Sequence, residues 1–167
     1  NPRVSAAGTE PIYVLCRFGR VHVLPDSMRE VLLRALQEAA GQTTLSPETL
    51  SQDLGRYFQQ HDVGDGNLLF KLTGGELSLQ WQNRLAGEPV DQIKKSGSAF
   101  QRAVRGLSPN RNYFTYFVWS DSFDAYLEAR RISDSRNIAA GWEVFSIGRE
   151  LKVSLNSGSA TRPKRLD

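Results

Sequence analysis

Few side chains in this sequence can do chemistry by themselves. There is one cysteine, Cys16, and there are two histidines, His22 and His61. A single thiol excludes an internal disulfide and any zinc site built on several cysteines. Its apolar surroundings, Val14-Leu15-Cys16, read as a core thiol. His61-Asp62 is a pair that metal-assisted hydrolysis can use, but that chemistry needs more histidines and only His22 remains. Asp62 to Asn67 has the outline of a calcium loop, yet Gly64 and Gly66 stand where oxygen ligands belong, so a glycine-rich turn is the better reading. Asp121, Asp124 and Glu128 open a helical stretch, where the positive helix end favours carboxylates without any catalytic role. Phosphate-binding GxxxxGK[ST], GxGxxG after a strand, HExxH and GxSxG are all missing. No catalytic residue, metal site or cofactor is assigned, and the chain is expected to bind rather than to catalyse.

The residues that do stand out are cations. Between Gln92 and Ser120 there is no acidic residue and there are five basic ones, Lys94, Lys95, Arg102, Arg105 and Arg111. If 91–106 is one helix, Lys94, Lys95, Ser98, Gln101, Arg102 and Arg105 fall within about 120° of one another, opposite Phe100 and Val104. Solvated helix faces usually mix charge signs, so a one-signed face points to an anionic or acidic partner: a protein, an anionic polymer or a nucleic acid. The wider composition agrees. The net charge is +3, but residues 1–83 hold 7 Lys/Arg against 9 Asp/Glu while residues 84–167 hold 14 against 9. The positive excess therefore belongs to the second half, and it is modest for a dedicated DNA-binding domain.

These residues must be positioned by elements that the pattern makes visible. Ile12 to Arg17 and Val21 to Leu24 read as two short strands about a Phe18-Gly19-Arg20 turn. A capping box at Ser27 and Glu30, closed by Gly41, predicts a helix. Ser46-Pro47-Glu48 starts another, carrying Leu50, Leu54, Tyr57 and Phe58. Leu68–Leu72 and Glu76–Gln82 flank Thr73-Gly74-Gly75 as a hairpin. Tyr113 to Trp119 is almost wholly apolar. Aromatics on an open sheet can stack RNA bases, but the small residues that such a strand needs are missing, so a central covered strand is expected. A helix from Ser120-Asp121 to about Arg136 follows. Trp142–Ile147 and Glu150–Leu155, about Gly148-Arg149, read as a closing hairpin. The fold class is α+β: a single domain over residues 11–155, with a mixed, mostly antiparallel sheet and about four helices. Residues 1–10 form a flexible lead-in and 156–167 a flexible basic tail.

The run Val118-Trp119-Ser120-Asp121-Ser122-Phe123-Asp124-Ala125-Tyr126, with Ala140-Gly141 before the next strand, resembles the extracytoplasmic domain of the ExbD/TolR family. Pro11-Ile12-Tyr13-Val14 is similar to how that domain begins. Asp121 and Tyr126 are the residues on which the likeness turns. Uncharacterised bacterial proteins with the same strand–helix–strand ending look similar too. About 90 residues separate the two matching strands, so 42–110 would be an insertion relative to that family. The resemblance implies a non-enzymatic bacterial accessory of a membrane or envelope complex, working through homodimer formation or protein contact. It implies no catalytic residue. The only methionine is Met28 and Asn1 opens the chain, which is expected of a processed or excised piece: cytoplasmic, or periplasmic if an upstream anchor has been removed. The alternative expectation is a nucleic-acid-binding domain using helix 91–106.

Overall fold

The structure is a computed structural model, and it describes residues 10–24, 47–73 and 76–154. The helix expected from Ser27 to Gly41, the lead-in up to residue 9 and the tail from residue 155 lie outside the described residues. The architecture is α+β, with helices beside mostly antiparallel strand pairs. The described strands divide between two sheets, and the described residues group into two compact units: one from 10–24 and 85–149, the other from 47–73, 76–84 and 150–154.

The first unit holds the sheet of order β6-β2-β1-β7-β8. Its strands are β1 (Glu10–Arg17), β2 (Arg20–Val23), β6 (Glu88–Pro89), β7 (Asn112–Trp119) and β8 (Ala139–Phe145). β1 runs parallel to β7, and β7 parallel to β8, whereas β1–β2 and β2–β6 are antiparallel. Among the described residues three helices belong to this unit: α2 (Val90–Ile93), α3 (Ala99–Gly106) and α4 (Phe123–Asp134). Alternation along the strands puts Val14, Cys16, Val21, Phe114, Tyr116 and Val118 on one face, where Ile93, Phe100, Val104, Ala125, Ala129 and Ile132 cover them. Phe114 and Tyr116 continue an aromatic series from Phe100 to Tyr126, with centroids 5.3–6.0 Å apart. The buried Tyr116 hydroxyl donates to Ala129 O (3.3 Å) and lies 3.1 Å from Ser133 Oγ, so this polar atom is satisfied inside the core.

β7 is the central strand that its apolar run predicts. Phe114, Thr115, Tyr116, Val118 and Trp119 are buried, and Tyr113 and Phe117 are half-buried. Five of the seven residues from Tyr113 to Trp119 are thus packed away from solvent.

The second unit holds the antiparallel sheet β3-β4-β5-β9, with β3 (Val63–Gly64), β4 (Leu68–Thr73), β5 (Glu76–Trp81) and β9 (Leu151–Ser154). The helix α1 (Pro47–Gln60) also belongs to it. The expected β4–β5 hairpin forms, with Phe70 opposite Leu79 and Leu72 opposite Leu77. Asp65 Oδ1 accepts from the Asn67 and Leu68 N–H groups (2.8 and 2.9 Å). The glycine-rich turn expected at 62–67 is therefore an Asx-type turn. One expectation is corrected here. Trp142–Ile147 and Glu150–Leu155 do not form a hairpin: β8 pairs with β7 in the first sheet, and β9 pairs with β5 in the second. Gly148-Arg149 has the grammar of a tight turn, but both strands find longer partners far away in sequence.

Candidate functional site

The cationic segment is built differently from one helix over 91–106. The chain leaves α2 after Ile93, turns through Lys94 to Gly97, and restarts as α3 at Ala99. The cause is local. Ser98 takes extended backbone angles and its hydroxyl accepts from the Gln101 N–H (3.0 Å), making it the N-cap of α3. The Ile93 carbonyl accepts from Gln101 Nε2 (3.1 Å), with Ser98 Oγ 3.4 Å away. The sequence signal for the break is Ser98-x-x-Gln101, a capping-box spacing inside an otherwise continuous helical period.

This break gathers four of the five predicted cations. Lys94 and Lys95 sit on the turn, exposed. Arg102 and Arg105, one and two turns into α3, reach back to it: Arg102 donates to Gly97 O, and Arg105 to Ser96 O (2.8 Å). Each guanidinium has five N–H donors, so both stay equipped for a ligand while their planes are held against the turn. The result is a cationic knuckle. Two carboxylates border it. Asp91 lies 3.9 Å from Lys94, at the limit of an ion pair. Glu128 is held below the usual carboxylate range, chiefly by its hydrogen bond from Arg131, with smaller pulls from the charges of Arg131 and Lys94. Arg111 lies apart from the four, exposed in the turn that leads into β7.

Sequence reasoning misses Glu88. Its two carboxylate oxygens accept from the Ala99 and Phe100 N–H groups, both at 2.8 Å. The positive end of α3 is thus already filled by an internal carboxylate, and any anion at the knuckle meets side chains rather than the helix end. No local signal exists for this pairing, because Glu88 comes from β6, eleven residues before Ala99.

The junction residues Asp121 and Tyr126 have roles that the structure makes explicit. The Asp121 carboxylate accepts from the Phe18 N–H (3.3 Å to each oxygen) and from the Ser122 hydroxyl (2.7 Å). Ser122 Oγ in turn accepts from the Gly19 N–H (2.9 Å). Phe18 and Gly19 both have positive φ, 56° and 67°, which a two-residue hairpin turn with right-handed strand twist requires. Phenylalanine is an uncommon occupant of that region. Asp121 and Ser122 therefore clamp a strained β1–β2 turn to the start of α4. Tyr126 is buried, edge-on to Tyr116 and stacked on Trp142 (centroids 5.2 Å apart). Burial pushes the thiol of Cys16 well above its ordinary value, so it stays neutral at physiological pH.

Among the described residues no group of three or more His, Cys, Asp or Glu side chains is placed to hold a metal ion. None of their helices is long and apolar enough to cross a membrane. No protein-family model, no curated protein and no solved structure matches this chain.

Proposed function

We propose that this chain is a binding module, without catalysis of its own, that engages a polyanionic or acidic partner through Lys94, Lys95, Arg102 and Arg105. The single observation that carries the reading is the knuckle: two lysines on one turn, and two arginines of α3 that hydrogen-bond to the backbone carbonyls of that turn. Pre-orientated guanidinium groups suit carboxylate and phosphate oxygens. A role as accessory to an envelope complex rests on the ExbD/TolR-like junction at Asp121 and Tyr126. Nucleic acid is the second reading, favoured by the acid-free run from Gln92 to Ser120; it uses the phosphate backbone, because the aromatic strand β7 is interior.

Retention on immobilised heparin in a salt gradient tests the reading. Lys94→Glu with Lys95→Glu changes only turn side chains and should elute at clearly lower salt. Adding Arg102→Glu and Arg105→Glu should lower it further. The slope of log affinity against log salt should fall by about one for each anionic group that is no longer neutralised. Arg111→Glu alone should change little. Unaltered retention of the folded quadruple variant refutes the proposal, and competition by short single-stranded DNA separates nucleic acid from acidic protein.

A further inference from the structure

The two edges of the first sheet are unlike. One ends in β6, two residues long and containing Pro89, which is a blunted edge. The other is β8, seven residues with no proline or lysine. The Ser120 N–H donates to Phe145 O (2.9 Å), so the backbone groups of residue 145 face β7. A strand residue sends its N–H and C=O to the same side, and alternate residues to opposite sides. Ala140, Trp142 and Val144 therefore present their backbone groups outward. Arg130 Nη1 donates to Ala140 O (3.2 Å); among the described residues nothing pairs with the backbone of Trp142 or Val144 on that side.

Above this open edge hangs an apolar overhang. Tyr126 of α4 stacks on Trp142, and helical spacing places Phe123 and Leu127 beside Tyr126 on the side away from the core residues Ala125, Ala129 and Ile132. Phe123 is 40% exposed, Leu127 61%, Trp142 43% and Val144 37%. With large side chains offering about 150–250 Å² each, these four supply on the order of 270–450 Å² of apolar surface. A standard interface buries about 800 Å² per partner, of which somewhat over half is apolar, so the patch has most of what a modest dimer needs. Of the charges around it, Arg130 pairs with Asp134 (2.9 Å) and Arg149 with Glu143 (3.0 Å), while Asp124, next to Phe123, is exposed. Apart from Asp124 the patch is near-neutral, so a second copy of the chain meets it with little like-charge repulsion.

We infer that β8 pairs antiparallel with β8 of a second copy about a two-fold axis, joining the two sheets into one. Strand parity allows hydrogen-bonded pairs only between even-numbered residues. With Trp142 opposite Trp142, Ala140 meets Val144 and Glu143 meets Gly141 of the second copy. Sliding the strands so that Trp142 meets Val144 would set Glu143 against Glu143, which the first register avoids. Phe123 and Leu127 of the two copies close over the seam on the helix-covered side, as an isologous interface requires.

Sedimentation equilibrium of the whole chain tests this. At about 100 μM the mass should approach twice the chain mass of 18.7 kDa and fall on dilution. Leu127→Glu touches no strand pairing and should give a monomer with an unchanged circular dichroism spectrum. Val144→Pro removes an outward N–H without touching the β7 ladder and should do the same. A wild-type monomer at 100 μM overturns the inference and leaves the edge for a strand of another protein. A dimer indifferent to Leu127→Glu overturns it as well.

Discussion

Replacing Glu88 by Gln separates the architecture of the cationic knuckle from its binding role. In the native protein both carboxylate oxygens take N–H groups from the first turn of α3 at 2.8 Å. A hydrogen bond to a charged group contributes about 1.5–3 kcal/mol when well sheltered. Here the bond from Ala99 is exposed and the bond from Phe100 is part-buried. An amide retains one acceptor oxygen but brings an NH2 group against the second N–H, and it removes the charge that the helix end favours. One weakened hydrogen bond and one removed outright give a cost of about 2 kcal/mol. The Ser98 hydroxyl still caps the Gln101 N–H, which keeps the cost from being larger. Urea unfolding followed by circular dichroism should show the midpoint falling at unchanged slope, equivalent to a drop of roughly 4–8 °C in Tm for a chain of this size. Heparin retention of the folded variant should hold or rise, because a carboxylate near the knuckle has gone while all four cations remain. A cost under about 0.5 kcal/mol would show that the α3 end is not held by Glu88, and weaker retention at full stability would place Glu88 in the binding surface.

Two further outcomes follow from single residues. Asp121→Ala should lower stability by about 1 kcal/mol, since its bonds to the Phe18 N–H are long and exposed; Phe18→Gly in that background should recover part of it by relieving the positive φ, and a fully neutral Asp121→Ala in urea unfolding would contradict the clamp. The Cys16 thiol and the Tyr116 phenol are both raised by burial, so the unfolded chain releases these protons at lower pH than the folded one. Stability is accordingly expected to be fully present below the ordinary thiol value of about 9 and to decline as pH rises through it and then through the ordinary phenol value of about 10; a stability profile rising over that range, with Cys16 reacting with a thiol reagent in the folded protein, would contradict this.

The fold is legible in the sequence wherever structure is set by neighbours in the chain. Alternation along 68–82 defines the β4–β5 hairpin, and the almost wholly apolar run at 113–119 defines an interior strand, because a strand packed on both faces shows no polar alternation. Local pattern fails where a distant partner decides. Gly148-Arg149 looks like a hairpin turn, yet Leu151 pairs with Leu79, and nothing nearby in the chain encodes that choice. The break between α2 and α3 lies between these cases. Phe100 and Val104 keep the helical period in phase, so the local cap at Ser98 is hidden inside an unbroken pattern. As for the candidate site, four cations are legible as a set from their sign and spacing. Their convergence on the 94–98 turn is not, because it depends on Arg102 and Arg105 folding back onto the carbonyls of Gly97 and Ser96.

The knuckle and the β8 edge belong to the same unit but to opposite flanks of its sheet, and this arrangement ties the two proposals together. α3 packs beside β2 and α4, whereas β8 is the outermost strand on the other side, three positions from β2 in the order β6-β2-β1-β7-β8. An antiparallel two-fold perpendicular to the joined sheet keeps both helical layers on one face. With strands about 4.8 Å apart, β2 then lies roughly 17 Å from the axis in each copy, and the two β2 strands are about 35 Å apart. Two modest cationic sites at that separation gain nothing on a small anion, since only one can be engaged. On a polyanion long enough to bridge them, the second engagement becomes intramolecular and its effective concentration rises without any new residue. A small net charge is therefore no argument against tight binding to an extended anionic partner: the field of one copy is weak, but a dimer paired through β8 would repeat it on one surface.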